Sequence, residues 1–109
     1  MNMKLVKYML IAILVLGTGE VAAQVQVVSG KVTEMLGNQI EPIVGANVNI
    51  VNAQNRSVGG AVTNLDGDYR LQIPAQENNL TLVYSYIGMK TKRIKYTGQK
   101  VLNVKLESN

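Results

Sequence analysis

The sequence contains no cysteine, histidine, tryptophan or phenylalanine, and it has only two prolines among its 109 residues. Because cysteine is absent, the chain forms no disulfide and offers no thiol for a lipid anchor or a metal site. Because histidine is absent as well, no unperturbed side chain that titrates near neutral pH is available to assist catalysis. We therefore predict that the protein is not an enzyme and has no catalytic residue, cofactor or metal.

The first 23 residues have the pattern of a secretory signal peptide. Two lysines precede an apolar run at 8–16, and Val21-Ala22-Ala23 supplies small residues for a cleavage site. A bilayer span needs about twenty apolar residues, so a membrane anchor is the less favoured interpretation. We expect a helical signal peptide at 1–23 and one exported domain at 24–109. Export without cysteine favours a bacterial periplasm or outer membrane.

The excess of positive charge is small. Eleven basic residues face seven acidic ones, which gives a net charge of +4. A value of this size is ordinary for a soluble domain and does not indicate binding to nucleic acid. Export argues in the same direction, so nucleic acid is excluded as an expected partner.

The exported part is predicted to be all-β. Short stretches of alternating apolar and polar residues recur about every ten residues, with turn signals between them. Segment 34–45 is predicted to be a loop because Pro42 and Gly45 interrupt it. The pattern predicts a β-sandwich of seven strands. These strands are expected at 25–33, 46–50, 58–63, 68–73, 80–86, 91–96 and 102–106.

The pair Asp66-Gly67 is the clearest turn signal in the chain. Glycine adopts a positive φ at no steric cost, and aspartate tolerates it better than most residues. Tight hairpin turns whose twist matches the flanking strands need this backbone geometry. We therefore predict a β-hairpin in which 58–63 pairs with 68–73 across Asp66-Gly67.

Four motifs follow one another along the exported part: SGKVT at 29–33, PIVGANV at 42–48, AVTNLDGDYRL at 61–71 and VYSYIGMKT at 83–91. Their order and spacing resemble the carboxypeptidase-regulatory-like domain, a transthyretin-like or immunoglobulin-like β-sandwich. The most similar version stands at the N-terminus of SusC-type TonB-dependent outer-membrane transporters. Within the motifs, the expected structural turn and core residues are Gly45, Asp66, Gly67, Tyr69 and Gly88.

The resemblance implies a non-catalytic role in the uptake of glycans or peptides through a TonB-dependent transporter. In that family a plug and a barrel follow the domain, whereas this chain stops at Asn109, so we expect that it does not transport by itself. The implied partner is an outer-membrane transporter or its lipoprotein partner, contacted along a sheet edge or a sandwich face. The alternative hypothesis is a free-standing periplasmic module that binds carbohydrate. The oligomeric state is left open.

The turn at 64–68 could also be interpreted as a calcium site or as a glycosidase carboxylate pair, but a structural role is favoured. Asn64, Asp66 and Asp68 alternate like the first ligands of a calcium loop, but Gly67 stands at position four instead of six, and position twelve is Ala75. The two aspartates also resemble a glycosidase pair, but the sequence predicts no cleft around them. Turn chemistry is therefore the preferred interpretation.

Basic residues and tyrosines near the C-terminus form the predicted partner surface. Lysines and arginines concentrate after residue 89, where they either contact lipid phosphates or an acidic partner, or protect an edge strand from aggregation. Alternation places Arg93 and Lys95 on one face and Lys92 on the other, which favours protection. Tyr84 and Tyr86 could form a stacking platform for a sugar, but core packing is the preferred interpretation, because a chain without phenylalanine or tryptophan needs tyrosine to supply bulk.

Overall fold

The computed structural model describes residues 25–109, so the predicted signal peptide at 1–23 lies outside the described residues. Residues 25–109 form eight β-strands and contain no helix, which confirms the predicted all-β fold. The number exceeds the predicted seven because Gln39–Pro42, which was expected within a loop, is also a strand. The strands are β1 (Gln26–Leu36), β2 (Gln39–Pro42), β3 (Asn47–Val51), β4 (Ser57–Val62), β5 (Asp68–Ile73), β6 (Thr81–Ser85), β7 (Lys92–Lys95) and β8 (Val104–Lys105).

The strands form two sheets of four. In the first sheet, β2 and β5 pair antiparallel with different parts of β1, and β8 runs parallel to β1. In the second sheet the order is β4-β3-β6-β7, and all neighbours are antiparallel. The strands β4 and β7 are therefore the two edges of the second sheet.

The core lies between the two sheets and follows the two-residue period of the strands. Alternate side chains point to opposite faces, so β5 buries Tyr69, Leu71 and Ile73, while β6 buries Leu82 and Tyr84. Aliphatic residues from the other strands and loops complete the core, and two tyrosines supply its largest side chains. The alternation seen in the sequence therefore identifies the core-facing residues of these strands.

The predicted hairpin across Asp66-Gly67 is wrong. β4 pairs with β3 in one sheet, whereas β5 pairs with β1 in the other, so the turn carries the chain between the sheets. The turn itself forms: Gly67 has a φ of 78°, and Gly67 N donates to Asn64 O at 2.9 Å. Val32 N donates to Gly67 O at 2.8 Å, and this bond holds the turn against β1 instead of alongside β4.

The segment predicted as a loop at 34–45 contains a hairpin. β1 continues to Leu36, and β2 pairs back on it across a turn in which Gly37 has a φ of 63°. Pro42 stands at the end of β2, where a missing N–H is tolerated. The sequence pattern does not predict this hairpin. Both of its faces are largely exposed, so apolar and polar residues do not alternate there.

Thr63 is a buried polar side chain that ties two loops together. Its hydroxyl accepts a hydrogen bond from Ala46 N at 2.9 Å and donates one to Ile43 O at 2.6 Å. Thr63→Val keeps the shape but leaves both groups without this partner, so we expect a loss of about 1–3 kcal/mol in the free energy of unfolding in urea. Thr63→Ser retains the hydroxyl and is expected to lose less. Equal stability of the valine variant and the parent would contradict the prediction.

Candidate interaction surfaces

Two tyrosines join the sheets in the middle of the core. Tyr69 on β5 and Tyr84 on β6 have hydroxyl oxygens 2.7 Å apart and rings in an edge-to-face contact, with centroids 5.6 Å apart. The Tyr69 hydroxyl donates to Leu102 O at 2.6 Å, so the bridge extends to the C-terminal segment. Because a hydroxyl carries one hydrogen, Tyr84 is the donor to Tyr69. Burial raises the pKa of both phenols.

The placement of Tyr84 on a partner surface is wrong. Its side chain is fully buried and faces Tyr69, because residue 84 lies on the core-facing side of β6. Tyr86 lies beyond the end of β6 and is 36% exposed, so of the two predicted platform residues it alone reaches solvent. The paired aromatic platform does not exist.

The three glycines predicted at turns adopt the left-handed backbone conformation. Gly45, Gly67 and Gly88 all adopt positive φ values, of 83°, 78° and 80°. Asn64 Oδ1 accepts hydrogen bonds from the backbone N–H groups of Asp66 and Asp68, both at 2.9 Å. The oxygen that a calcium loop would direct at a cation is therefore occupied by the backbone.

The two aspartates of this turn take part in structural contacts with Lys31. Asp68 makes an ion pair with Lys31 at 3.0 Å, and Lys31 also donates to the backbone oxygen of Asp66. Both aspartates are exposed on the turn. Within residues 25–109, no three His, Cys, Asp or Glu side chains are grouped so that they could hold a metal.

Calcium is expected to leave the stability of the domain unchanged. The ligand spacing is wrong for a calcium loop, and Asn64 Oδ1 already holds two N–H groups. Thermal unfolding with and without about 5 mM calcium should give melting temperatures within about 1 °C, because a ligand raises stability only when it binds the folded state. Magnesium at the same concentration controls for ionic strength. A rise of several degrees with calcium alone would contradict this prediction.

The candidate residues Arg93 and Lys95 lie on β7, an edge of the second sheet. Both are exposed, and Arg93 donates to Asn55 Oδ1 at 3.0 Å. Positive charge along an edge strand discourages pairing with a second chain. Lys92, by contrast, lines a groove of about 210 Å³ together with Lys90 and Lys105. This grouping was not evident from the sequence, since Lys105 is distant along the chain.

Exposed apolar side chains collect at one end of the sandwich. Asn47 pairs with both Val62 and Ser85, and Ile43 N donates to Val32 O, so the loops after β4 and β6 and the β1–β2 hairpin share that end. Ten large apolar side chains are exposed in residues 25–109, and eight of them lie there. We call this group the apolar end: Met35, Leu36, Ile40, Val44, Val62, Leu65, Tyr86 and Ile87.

The opposite end of the sandwich is polar and concave. A groove of about 560 Å³ is lined there by residues that include Gln26, Asn78, Asn79, Tyr96 and Thr97. Tyr96 is half-buried, and its hydroxyl donates to Gln26 Oε1 at 2.6 Å. The sequence pattern does not predict this groove, because Gln26 and Tyr96 come from opposite ends of the domain.

Comparison with known proteins places this architecture in a family. The family model described as "CarboxypepD_reg-like domain" matches residues 28–109, which include nearly all of the described domain. The chain belongs to the CarboxypepD_reg-like domain family. This match confirms the resemblance seen in the four sequence motifs.

A curated relative carries a similar segment inside a much longer protein. The CarboxypepD_reg-like domain is 36% identical over 75 residues to the TonB-dependent receptor P39 of Formosa agariphila. That alignment covers 68% of this chain but only 7% of the receptor. The domain is therefore of a kind found in a TonB-dependent receptor. Within residues 25–109, no helix has the length and hydrophobicity that a transmembrane span requires.

Solved structures support the sandwich fold. A type II cohesin–X-dockerin complex from Acetivibrio cellulolyticus contains a chain that matches with a TM-score of 0.56 at 18% identity, covering 76% of this chain and 58% of that one. The major plantain pollen allergen Pla l 1 matches with a TM-score of 0.53 at 13% identity, covering 79% of this chain and 95% of the allergen. At these identities the likeness concerns the fold alone.

Proposed function

We propose that this CarboxypepD_reg-like domain is a non-catalytic docking module of the bacterial envelope that contacts a TonB-dependent receptor or its lipoprotein partner during nutrient uptake. The observation that carries the proposal is the apolar end. Monomeric domains rarely gather exposed apolar side chains on one surface, and such patches mark interaction sites. The similarity to a segment of receptor P39 supports a partner from the same uptake system.

The distribution of chemistry over the domain fits docking better than catalysis. Leu65 is 80% exposed and Ile40 is 63% exposed, and both lie on short, hydrogen-bonded turns or strands that present them without rearrangement. A preformed apolar surface binds at a lower entropic cost than a mobile one. The carboxylates of the Asp66 turn lie in the open, where no cleft excludes water.

Site-specific photo-crosslinking in living cells tests the proposal. A photoreactive phenylalanine analogue at Ile40 or Leu65 is expected to form an adduct with a TonB-dependent receptor or its lipoprotein, identified by mass spectrometry. The same analogue at Gln76, which is exposed in the loop after β5, is the matched control and should give no such adduct. Adducts of equal yield from both ends, or adducts with inner-membrane or soluble proteins only, would contradict the proposal.

A second candidate function rests on the groove at the polar end. Its amide side chains present paired donors and acceptors, and Tyr96 adds a half-buried aromatic side chain. This combination of a few directed polar groups and an apolar surface suits a neutral oligosaccharide. Tyr96 therefore replaces Tyr84 and Tyr86 as the proposed sugar-binding tyrosine.

Isothermal titration with maltohexaose, cellohexaose and laminarihexaose tests this second function. A binding heat that disappears in Tyr96→Ala but persists in Tyr86→Ala would support the groove. The Tyr86 variant is a matched control because it removes a partly exposed tyrosine at the other end of the sandwich. No heat with any of the three sugars would contradict the carbohydrate function and would leave the docking proposal unaffected.

A further inference from the structure

A small groove lies where the start of β7 meets the C-terminal strand. Its walls are formed by Lys90, Thr91 and Lys92 on one side and by Lys105, Leu106 and Glu107 on the other. The two segments are joined by a hydrogen bond from Lys90 N to Glu107 O at 2.7 Å. Leu106 is buried, so the groove has an apolar residue among charged ones. Three lysines from two separate segments thus line one concave surface.

The charge of these lysines is not compensated inside the domain. Across residues 25–109 the one ion pair joins Lys31 and Asp68, on a different part of the surface. Glu107 is the single carboxylate residue lining the groove, against three lysines. A concave surface lined mainly by one sign of charge concentrates ions of the opposite sign. Ammonium groups donate readily to phosphate oxygens, so a phosphate-bearing ligand suits the groove.

An apolar turn stands close to these lysines along the chain. Met89 N donates to Tyr86 O at 3.0 Å, and Gly88 adopts the positive φ that a type II turn needs at its third position. This turn holds Ile87 at its tip, where the side chain is 87% exposed. An exposed apolar side chain next to lysines is the combination by which proteins bind the surface of an anionic membrane.

We propose that the Lys90–Lys92–Lys105 groove binds the phosphate groups of an anionic lipid surface while Ile87 enters the boundary between headgroups and acyl chains. A soluble phosphate would satisfy the lysines but would leave Ile87 in water. A lipid surface satisfies both features, because burial of an apolar side chain adds to the electrostatic attraction. The inference goes beyond docking to a receptor, since its three lysines are not among the residues of the apolar end, with which it shares Ile87.

Vesicle co-sedimentation with two charge-matched variants tests the site. The chain is purified after export, and mass spectrometry ensures that every variant has the same N-terminus. Vesicles are phosphatidylcholine alone or phosphatidylcholine with about 30 mol% phosphatidylglycerol, at roughly 0.1 M salt. Lys92→Gln/Lys105→Gln is expected to lower partitioning onto the anionic vesicles about 25-fold, since each lysine near such a surface contributes roughly fivefold.

The matched control also removes two positive charges, both from the face of β7 opposite to the face that carries Lys92. Arg93→Gln/Lys95→Gln is expected to reduce partitioning by less than about threefold. An equal loss in both double variants would show that net charge alone matters and would overturn the proposal. Equal binding to neutral and anionic vesicles would also overturn it, as would an absence of vesicle binding in the parent chain.

A second pair of variants tests the apolar contact, and free phosphate tests the source of the ligand. Ile87→Ser is expected to reduce partitioning severalfold, whereas Val101→Ser, which changes an exposed valine elsewhere, should not. Inorganic phosphate at about 10 mM should not displace the protein from anionic vesicles by more than its ionic strength explains. Displacement beyond that level, or equal losses in the two serine variants, would overturn the assignment to a lipid surface. Circular dichroism of each variant establishes that it is folded.

Discussion

Gly30→Ala is expected to destabilise the domain by about 3 kcal/mol or more, or to prevent folding. A Cβ atom at this position would stand 1.8 Å from Leu102 O and 2.6 Å from the Leu102 carbonyl carbon. Both are backbone atoms of the segment that runs beside β1, so a side-chain rotation does not relieve the overlap. The ring of Tyr69 closes the other side, with Cε1 at 3.2 Å from the added atom.

Urea unfolding followed by circular dichroism measures this loss, and Gly59→Ala is its matched control. Gly59 also lies in a strand, but the nearest atom to its added Cβ is Ile50 Cδ1, at 3.1 Å. That atom is the end of a flexible side chain and is able to shift, so we expect a change within about 1 kcal/mol. If Gly30→Ala were as stable as Gly59→Ala, the close approach of Leu102 to β1 would be wrong.

Tyr69→Phe is expected to cost about 2–3 kcal/mol of unfolding free energy, whereas Tyr84→Phe costs about 1 kcal/mol. The asymmetry follows from the direction of the bonds, since Tyr84 donates to Tyr69 and Tyr69 donates to Leu102 O. Loss of the Tyr69 hydroxyl leaves the buried Tyr84 hydroxyl without an acceptor and Leu102 O without this donor. Loss of the Tyr84 hydroxyl leaves Tyr69 still bonded to Leu102 O.

The tyrosine bridge also predicts how stability changes at alkaline pH. Burial is the main reason why the pKa values of Tyr69 and Tyr84 are raised, so the folded state keeps both protons where the unfolded chain, with a pKa near 10, releases them. The stabilisation is complete below about pH 10 and is lost as the pH rises further. Above about pH 10, each tyrosine whose pKa is raised lowers the free energy of unfolding by about 1.4 kcal/mol per pH unit.

Urea unfolding of the parent and both phenylalanine variants between pH 8 and pH 11 separates the loss of hydrogen bonds from the effect of the raised phenol pKa values. This range surrounds the ordinary tyrosine pKa of about 10. The phenylalanine variants should show a shallower alkaline loss than the parent, because each has one fewer buried phenol. Each variant differs from the parent at one tyrosine only, so a difference in slope reports on that phenol. Equal slopes in all three proteins, or a larger loss at pH 8 for Tyr84→Phe than for Tyr69→Phe, would contradict the bridge.

Much of the architecture was predictable from local patterns. Alternation in 68–73 and 80–86 identified the inward-facing residues, including Tyr69 and Leu82, because a strand places every second side chain on the same face. Four sequence motifs pointed to the family that the comparison with known proteins then confirmed. The turn at Asp66-Gly67 was also found, since Gly67 has the positive φ that its position in the sequence predicted.

The pairing of strands was less accessible from the sequence. Asp66-Gly67 has the chemistry of a hairpin turn, yet Gly67 O accepts a hydrogen bond from Val32 N, and the following strand pairs with β1 in the other sheet. The exposed hairpin of β1 and β2 shows no alternation, because neither of its faces is fully buried. Turn chemistry specifies that the chain reverses, but it does not specify which strand the returning segment will join.

The sequence by itself determined that residues 25–109 are all-β, that the chain turns at Asp66-Gly67, which side chains of the regular strands face inward and which family the chain belongs to. These properties depend on residues that are neighbours in the chain. The tertiary structure alone decided that the hydroxyl groups of Tyr84 and Tyr69 meet, that Lys92 lies near Lys105, and that the exposed apolar side chains share one end. Those groupings depend on backbone hydrogen bonds that bring distant segments together. Because nearly every residue has the same backbone donor and acceptor, the sequence does not show which segments will pair.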